Sequence, residues 1–194
     1  INLEFQALKD ELTRIANVTE YNGMNVLNGT YQTAGGVSSQ WLLPETPITR
    51  VNVHTNGTQG NDQSHQDAFG DRVSIDGRHV AFRSIANNLV DVDTNGRWDV
   101  FVHDRETSTT ERVSVHTSGS QGNCGSRHPS MSADGRYVAF ASWASNLVDD
   151  DTNETSDIFV HDRETGTTER VNVHSNGTEA DNYSVTASMS DDGR

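Results

Sequence analysis

The stretch SADGRYVAF, residues 132–140, decides the fold of most of this chain. It places an Asp-Gly pair, which favours a tight turn, directly before an alternating run that is typical of a β-strand. It occurs again as SIDGRHVAF at residues 74–82 and as SDDGR at residues 190–194, and successive Asp-Gly pairs are 58 residues apart. A fixed period of this length indicates a repeat architecture.

Each repeat contains four strand-like segments. In the second repeat they read PSMSA, RYVAFAS, DIFVHDR and TTERVNV, and Asp-Gly and Thr-Gly pairs separate them. Val138 and Phe140 alternate with Tyr137 and Ala139, which is the period of a sheet. Four antiparallel strands per repeat form the blade of a β-propeller. We therefore predict a mainly β fold of antiparallel four-stranded propeller-like blades.

The number of repeats predicts part of a propeller. Residues 49–194 hold about two and a half units, which we place at about 49–110, 111–168 and an incomplete 169–194. A closed propeller has about four to eight blades. An open part of a ring exposes strand edges that pair readily. We therefore expect either that the ring continues beyond Arg194 or that neighbouring chains complete its sheets.

A different period governs the first 40 residues. Apolar side chains there step by four and three residues, which is a heptad seam and predicts a coiled-coil-type α-helix. The seam consists of Ile1, Phe5, Leu8, Leu12 and Ile15. A short helix with one apolar stripe needs a partner, either other subunits or a local sheet. The pairs Asn22-Gly23 and Asn28-Gly29 predict turns after the helix, and residues 41–48 a linker.

Composition narrows the classes of partner. The net charge of −14 disfavours nucleic acid, which needs a basic surface. No apolar run reaches the roughly 20 residues of a membrane-spanning helix, so we expect no membrane insertion. Cys124 is the single cysteine, which excludes a disulfide within the chain. A first residue other than Met, with no leader pattern after it, suggests a trimmed or partial chain.

The strongest chemical motif is an oxygen-rich loop that occurs once per repeat, as DVDTNGRWD at 91–99 and DDDTNETSD at 149–157. Oxygen side chains at positions 1, 3, 5 and 9 resemble the spacing around Ca²⁺, and Gly96 permits the bend, although Val102 and Val160 replace the final acid of an EF-hand. The candidate metal ligands are Asp91, Asp93, Asn95 and Asp99, and Asp149, Asp151, Asn153 and Asp157. Alternatively, these side chains hydrogen-bond their own backbone in a turn.

Other candidates give weaker signals. A histidine recurs on the polar side of one strand in each repeat, and we predict that all three are solvated; they are His54, His116 and His174. Three tryptophans could stack on sugars or pack within the fold; they are Trp41, Trp98 and Trp143. The chain has neither a zinc-protease histidine pair nor a Gly-x-Ser-x-Gly elbow. We predict no catalytic residues and no enzymatic activity.

The N-terminal stretch EFQALKDELTRIANVTEYNGMNVLNGT, residues 4–30, followed by GGVSSQW at 35–41, resembles the N-terminal conserved region of bacterial flagellins. The resemblance implies an extracellular subunit of the flagellar filament, a homo-oligomer with a role in motility. Its terminal helices would pack in the filament core through the seam. Glu11 matches a carboxylate position that the innate immune receptor for flagellin recognises. The family's upstream contact positions and returning C-terminal helix are absent from this sequence.

Residues 49–194 resemble the TolB-like family of β-propeller repeats. The blocks DGRYVAF, NLV followed by DTN, DIFV and TGTTERV carry this resemblance, which implies a propeller fold. In that family the first acid of the loop often is dispensable, which favours the turn interpretation.

Three functions follow as expectations. The first is a flagellin-like structural subunit of the filament with a surface-displayed, propeller-like outer domain. The alternative is an extracellular adhesion module that binds glycan or protein and depends on Ca²⁺. The third is a propeller that supports a hydrolase domain elsewhere, for which these residues offer nothing. We expect no cofactor other than Ca²⁺.

Overall fold

The computed structural model describes residues 48–65 and 72–194, together with four short strands before them. The chain forms two compact units, residues 1–49 and 50–194. In the first unit the strands are β1 (Glu20–Tyr21), β2 (Met24–Asn25), β3 (Thr30–Gln32) and β4 (Ser38–Gln40). The predicted helix and its seam, with Glu11 and Trp41, lie outside the described residues.

The short strands form two hairpins. In the first, β1 pairs antiparallel with β2, and Tyr21 lies opposite Met24. The pairs predicted to turn, Asn22-Gly23 and Asn28-Gly29, lie outside the described residues. In the second hairpin β3 pairs antiparallel with β4.

The second unit contains two four-stranded antiparallel sheets, each with its strands in chain order. Blade 1 consists of β5 (Ser64–His65), β6 (His79–Ser84), β7 (Asp99–Asp104) and β8 (Thr109–Arg112). Blade 2 consists of β9 (Ser126–Met131), β10 (Tyr137–Ser142), β11 (Asp157–Asp162) and β12 (Thr167–Arg170). The predicted mainly β fold of four-stranded units is confirmed for this part of the chain.

The Asp-Gly-Arg sequence explains why β6 starts where it does. The Asp76 carboxylate accepts hydrogen bonds from the Ser74 hydroxyl at 2.5 Å and from the backbone N–H of Arg78 at 2.9 Å, while Gly77 takes a φ of 72°. The Arg78 guanidinium then donates two hydrogen bonds, of 2.9 and 2.7 Å, to Asp104 on β7. This fork holds the pKa of Asp104 well below its usual range. The same contacts recur at Ser132, Asp134, Arg136 and Asp162.

The two blades share one apolar core, and a second buried cluster of Phe82, Ala86, Leu89 and Phe101 belongs to blade 1 and the loop after β6. Blade 1 contributes Ala81, Val100 and Val102, and blade 2 contributes Val138, Phe140 and Phe159, all of them buried. Each such side chain contributes about 1.5–3 kcal/mol when fully covered. The core also includes Ala144 and Leu147 from the loop after β10, together with Val113 and Met131.

The Asp-Gly turns join the repeats to one another. The N–H of Ile75 donates to the carbonyl of Ala133 at 2.8 Å, and the N–H of Ala133 donates to the carbonyl of Asp191 at 3.0 Å. His79 lies so close to Gly135 that a Cβ there would stand 2.5 Å from its Nδ1. Gly135 of the second repeat therefore contacts the His79 ring of the first repeat.

Within the described part of the chain, no helix combines the length and the hydropathy needed to cross a membrane.

Candidate functional site

The oxygen-rich loops lie at one edge of the two blades. Residues 85–98 connect β6 to β7 and residues 143–156 connect β10 to β11, and we call the edge that they form the loop rim. The Asp-Gly turns of the first two repeats lie at the opposite edge, because they directly precede β6 and β10. Each loop of the rim covers a buried carboxylate cluster.

The first cluster is centred on Asp99, whose side chain is fully buried. The Ser114 hydroxyl donates to Asp99 Oδ1 at 2.7 Å, and the Asn95 amide donates to Oδ2 at 3.0 Å. The Gln121 amide donates to Asp99 Oδ2 at 3.2 Å and to Asp93 Oδ1 at 2.8 Å. These shared donors hold the two carboxylates next to each other.

An arginine supplies the positive charge of the first cluster. Nη1 of Arg112 lies 3.7 Å from Asp93 Oδ2 and 3.8 Å from Asp99 Oδ2, and Nη2 donates to the carbonyl of Val92 at 3.1 Å. Burial raises the pKa of Asp99 to about 6, although the Ser114 hydrogen bond and the Arg112 charge act against this rise. The guanidinium thus occupies the side of the carboxylates that a bound cation would also use.

The second cluster repeats this arrangement around Asp157, which is also fully buried. The Asn172 amide donates to Asp157 Oδ1 at 2.6 Å, and the Asn153 amide donates to Oδ2 at 2.9 Å. Nη1 of Arg170 lies 3.5 Å from Asp157 Oδ2 and 3.5 Å from Asp151 Oδ1. The second cluster therefore has the same frame of two acids, amide donors and one arginine.

Two substitutions separate the two clusters chemically. Asn172 takes the place of Ser114 as a donor to the central aspartate, and the second substitution adds a charge. Glu179 stands where the first cluster has Gln121, and it lies 2.8 Å from Nη1 of Arg170. Carboxylate oxygens of Asp151, Asp157 and Glu179 all lie within 4.8 Å of one another. Burial and the nearby Asp157 charge raise the pKa of Asp151. Three carboxylates are a ligand set suited to a hard cation. Nη1 of Arg170 lies within 3.5 Å of all three, so the second cluster could hold a cation only if this guanidinium moved aside.

The structure brings together some of the predicted ligands and leaves others apart. Asp93 and Asp99 meet in the first cluster, as do Asp151 and Asp157 in the second. The leading acids do not join them, because the side chains of Asp91 and Asp149 are 93% and 94% exposed.

The asparagines serve the turns as well as the clusters. The side-chain oxygen of Asn95 accepts from the backbone N–H of Arg97 at 2.8 Å, and that of Asn153 accepts from Thr155 at 3.0 Å. Their amide groups, not their oxygens, face the carboxylates. This part of the geometry agrees with the turn interpretation.

Sequence reasoning missed the arginine and the residue at position 121 or 179. The arginine is the last residue of β8 or β12, and the Gln or Glu comes from the segment that follows that strand. Both lie more than ten residues beyond the loop, and no local spacing connects them to it. Comparison of the repeats could have identified these residues. An arginine followed nine residues later by Gln or Glu recurs in RVSVHTSGSQ and RVNVHSNGTE.

The histidines fall into two groups. His54 and His116 pair with Asp91 at 3.2 Å and Asp149 at 3.4 Å, and their side chains are only 17% and 24% exposed. These two are half-buried rather than fully solvated, because each lies against an aspartate of the following loop of the rim. His174 is exposed, as predicted.

A second pair of histidines is buried inside the blades. Nδ1 of His103 lies 2.9 Å from the Thr110 hydroxyl, and Nδ1 of His161 lies 2.9 Å from that of Thr168. Burial lowers the pKa of both imidazoles. They are therefore structural, neutral groups at pH 7.

A serine, a histidine and an acid also meet in an open cleft of about 380 Å³. The Ser118 hydroxyl lies 2.8 Å from His116 Nδ1, and His116 Nε2 lies 3.4 Å from Asp149. The backbone N–H of Ser118 also donates to His116 Nδ1 at 3.0 Å, and in the first repeat Asn56 makes the same bond to His54 at 3.0 Å. Because the contact persists without the hydroxyl, it belongs to the turn rather than to a nucleophile.

Two tryptophans stand beside arginines. The Arg83 guanidinium lies 4.8 Å from the ring centre of Trp98, and the ring of His65 lies 5.3 Å from it. The Arg127 guanidinium lies 3.8 Å from the ring centre of Trp143, which is 39% exposed. The sequence allows two roles for Trp143, packing within the fold or stacking on a sugar. The structure places its ring at the surface, against the Arg127 guanidinium.

Parts of some solved structures are similar to this chain. No family model matches this chain, and no curated protein matches it. TolB from Acinetobacter baumannii is similar over 72% of the chain, with 16% identity and a TM-score of 0.40. A protein named TolB from Agrobacterium tumefaciens is similar over 50%, with 21% identity and a TM-score of 0.33. The chain covers 26% and 30% of these two proteins, so it spans less than a third of either.

Proposed function

We propose that the chain is a non-catalytic structural subunit of an extracellular, flagellin-type filament, and that its repeats belong to a TolB-like propeller displayed on the outside. One observation supports a structural role for the repeats. Their recurring polar residues are engaged in contacts that hold the fold, as the Arg78–Asp104 fork and the buried His161–Thr168 pair illustrate. Recurring residues of this kind serve the scaffold rather than a reaction.

The filament role is supported by the sequence before the repeats. The flagellin-like stretch at residues 4–30 carries an apolar seam that needs partner helices. Identical copies of the chain would supply them, with the seam residues buried between subunits. In such a filament the outer blades would carry the acidic surface, and Glu11 remains a predicted contact for the innate immune receptor.

Two seam substitutions test this role. Replacing Leu8 and Leu12 with Asp places two charges in the proposed subunit interface, where an unpaired buried charge is strongly destabilising. We expect polymer to disappear from the pellet after ultracentrifugation, while the urea unfolding of the repeats stays unchanged. Thr13→Asp is the matched control, because Thr13 lies off the seam. Polymer of wild-type amount from the Leu8→Asp/Leu12→Asp variant would contradict the proposal.

The alternative, a calcium-dependent adhesion module for glycan or protein, is favoured by the second cluster. Its three carboxylates converge, whereas the first cluster has the neutral Gln121 in place of Glu179. Isothermal titration with CaCl₂ distinguishes the two functions. A calcium-binding module would bind one ion per chain and lose it in Glu179→Gln, which copies the first cluster. Absence of binding in the wild-type chain rejects this alternative and leaves the filament proposal intact.

A further inference from the structure

The contact between the two repeats includes a side chain that titrates near neutral pH. His79, the first residue of β6, lies against Gly135 of the second repeat, and its side chain is 14% exposed. The second repeat has Tyr137 at the equivalent position, and that ring lies against Gly193 in the same way. Since a tyrosine serves the same packing, the fold itself does not require a histidine here.

The two ring nitrogens of His79 have different surroundings. Nε2 lies 3.7 Å from Oδ2 of Asp104, which is beyond hydrogen-bond distance. Nδ1 is buried, and among the described residues it has no hydrogen-bond partner. It faces Gly135, where a Cβ would stand 2.5 Å away. A proton on Nδ1 would be buried without an acceptor, so the neutral ring carries its proton on Nε2.

Two acids and two arginines face this ring. Asp76 and Arg78 come from the preceding turn, Asp104 from β7 and Arg163 from the second repeat. Arg78 already donates to both acids, to Asp76 from its backbone N–H at 2.9 Å and to Asp104 from its guanidinium at 2.9 and 2.7 Å. Arg163 donates to the carbonyl of Gly135. Burial, and then the positive charge of Arg163, lower the pKa of the imidazole.

The charges beside Gly135 are bound within the second repeat. Asp134 accepts a hydrogen bond from the Ser132 hydroxyl at 2.6 Å, and Arg136 donates to Asp162 at 2.9 and 2.7 Å. In the described part of this contact, each of these carboxylates therefore already has a donor.

We propose that His79 makes the contact between the repeats sensitive to pH, because protonation of its ring at Nδ1 forces the ring and the Gly135 turn apart. The new N–H would face Gly135 without an acceptor, and the added charge would repel Arg163. The open contact then binds the proton more readily than the closed one. The contact is therefore most stable above about pH 6.5 and weakens as the pH falls below it.

This inference goes beyond the proposed filament role, because it uses neither the seam nor the N-terminal stretch. Its experiments use the full chain with and without Leu8→Asp/Leu12→Asp, so that assembly does not contribute to the result. Failure of either proposal leaves the other testable.

Hydrogen exchange of the Ile75 amide measures this contact, because its N–H donates to the carbonyl of Ala133 in the second repeat. After correction for intrinsic exchange, its protection should fall at least about threefold from about pH 7.5 to about pH 5. The fall should not exceed about thirtyfold, the limit for an imidazole of ordinary pKa, about 6.5, that is protonated only in the open state.

His79→Tyr copies the second repeat and should remove the part of this fall that His79 causes. The buried His103 and His161 also have lowered pKa values, but both chains contain them, so the difference between the chains isolates His79. The exposed His174 supplies the matched control His174→Tyr, which should leave the fall unchanged. Equal pH dependence of the Ile75 amide in wild type and His79→Tyr would overturn the proposal.

Long-range ¹H–¹⁵N NMR spectra test the ring itself and depend on no variant. At about pH 7.5 they should show a neutral His79 with its proton on Nε2, and a titration should give a pKa below about 6.5. A proton on Nδ1 of the neutral ring, or a pKa at or above about 6.5, would also overturn the proposal.

Discussion

Replacement of Gly135 by Ala should destabilise the repeats through two separable effects. Gly135 has a φ of 76°, and a left-handed conformation costs a residue with a Cβ about 1–2 kcal/mol. The new Cβ would also lie 2.5 Å from His79 Nδ1 and 2.8 Å from its Cγ, so the ring or the turn must move. Overpacking of this kind costs about 1–3 kcal/mol. We therefore expect a loss of about 2–5 kcal/mol in the free energy of unfolding.

The equivalent glycine of the first repeat separates the two effects. Gly77 has a φ of 72°, but its new Cβ would meet only Arg105 Nη1, at 3.7 Å. Gly77→Ala should therefore show the conformational cost alone, about 1–2 kcal/mol. Urea unfolding followed by circular dichroism gives both values, provided that the m-value stays constant. Equal losses for Gly135→Ala and Gly77→Ala would refute the conclusion that the His79–Gly135 contact joins the repeats.

Three further predictions concern charge and packing inside the repeats. The pKa of Asp99 is raised to about 6 in the folded chain from an ordinary 3.8, so between these pH values the folded state binds more protons than the unfolded state. Protonation of Asp99 should therefore stabilise the fold increasingly as the pH falls from about 6. A carboxyl NMR titration should show the raised pKa. The pKa of His161 is lowered, so the unfolded chain binds more protons, and the urea midpoint should fall as pH drops below about 6.5; His161→Gln should flatten that slope. Leu147→Ala should cost about 2–5 kcal/mol because Leu147 is fully buried, whereas Ile75→Ala, at an 86% exposed position, should stay within about 0.5 kcal/mol; similar losses for the two would contradict the assigned core.

The architecture of the repeats could be predicted from sequence because its signals are local. An Asp-Gly turn followed by an alternating run specifies one strand and its start, and the 58-residue period copies the result into the next repeat. The observed strand β10, Tyr137–Ser142, falls within the predicted segment RYVAFAS. Four such strands per repeat then follow from turn chemistry alone.

The carboxylate clusters could be predicted only in part, because their partners are distant in sequence. The loop spacing indicated the acids, yet Asp99 is held by Ser114 and Gln121, which come from the segment after β8. The exposure of Asp91 could not be read from spacing either, since it depends on where His54 lies in the folded chain. Tertiary placement rather than residue type decides which oxygens converge.

Electron cryomicroscopy of the assembled full chain tests the proposed filament role most directly. A helical filament in which the seam around Leu8 and Leu12 is buried between neighbouring subunits, with the two four-stranded blades on the outside, is the predicted result. A chain that stays unassembled at high concentration, or a seam that packs against the sheets of its own subunit, would contradict it.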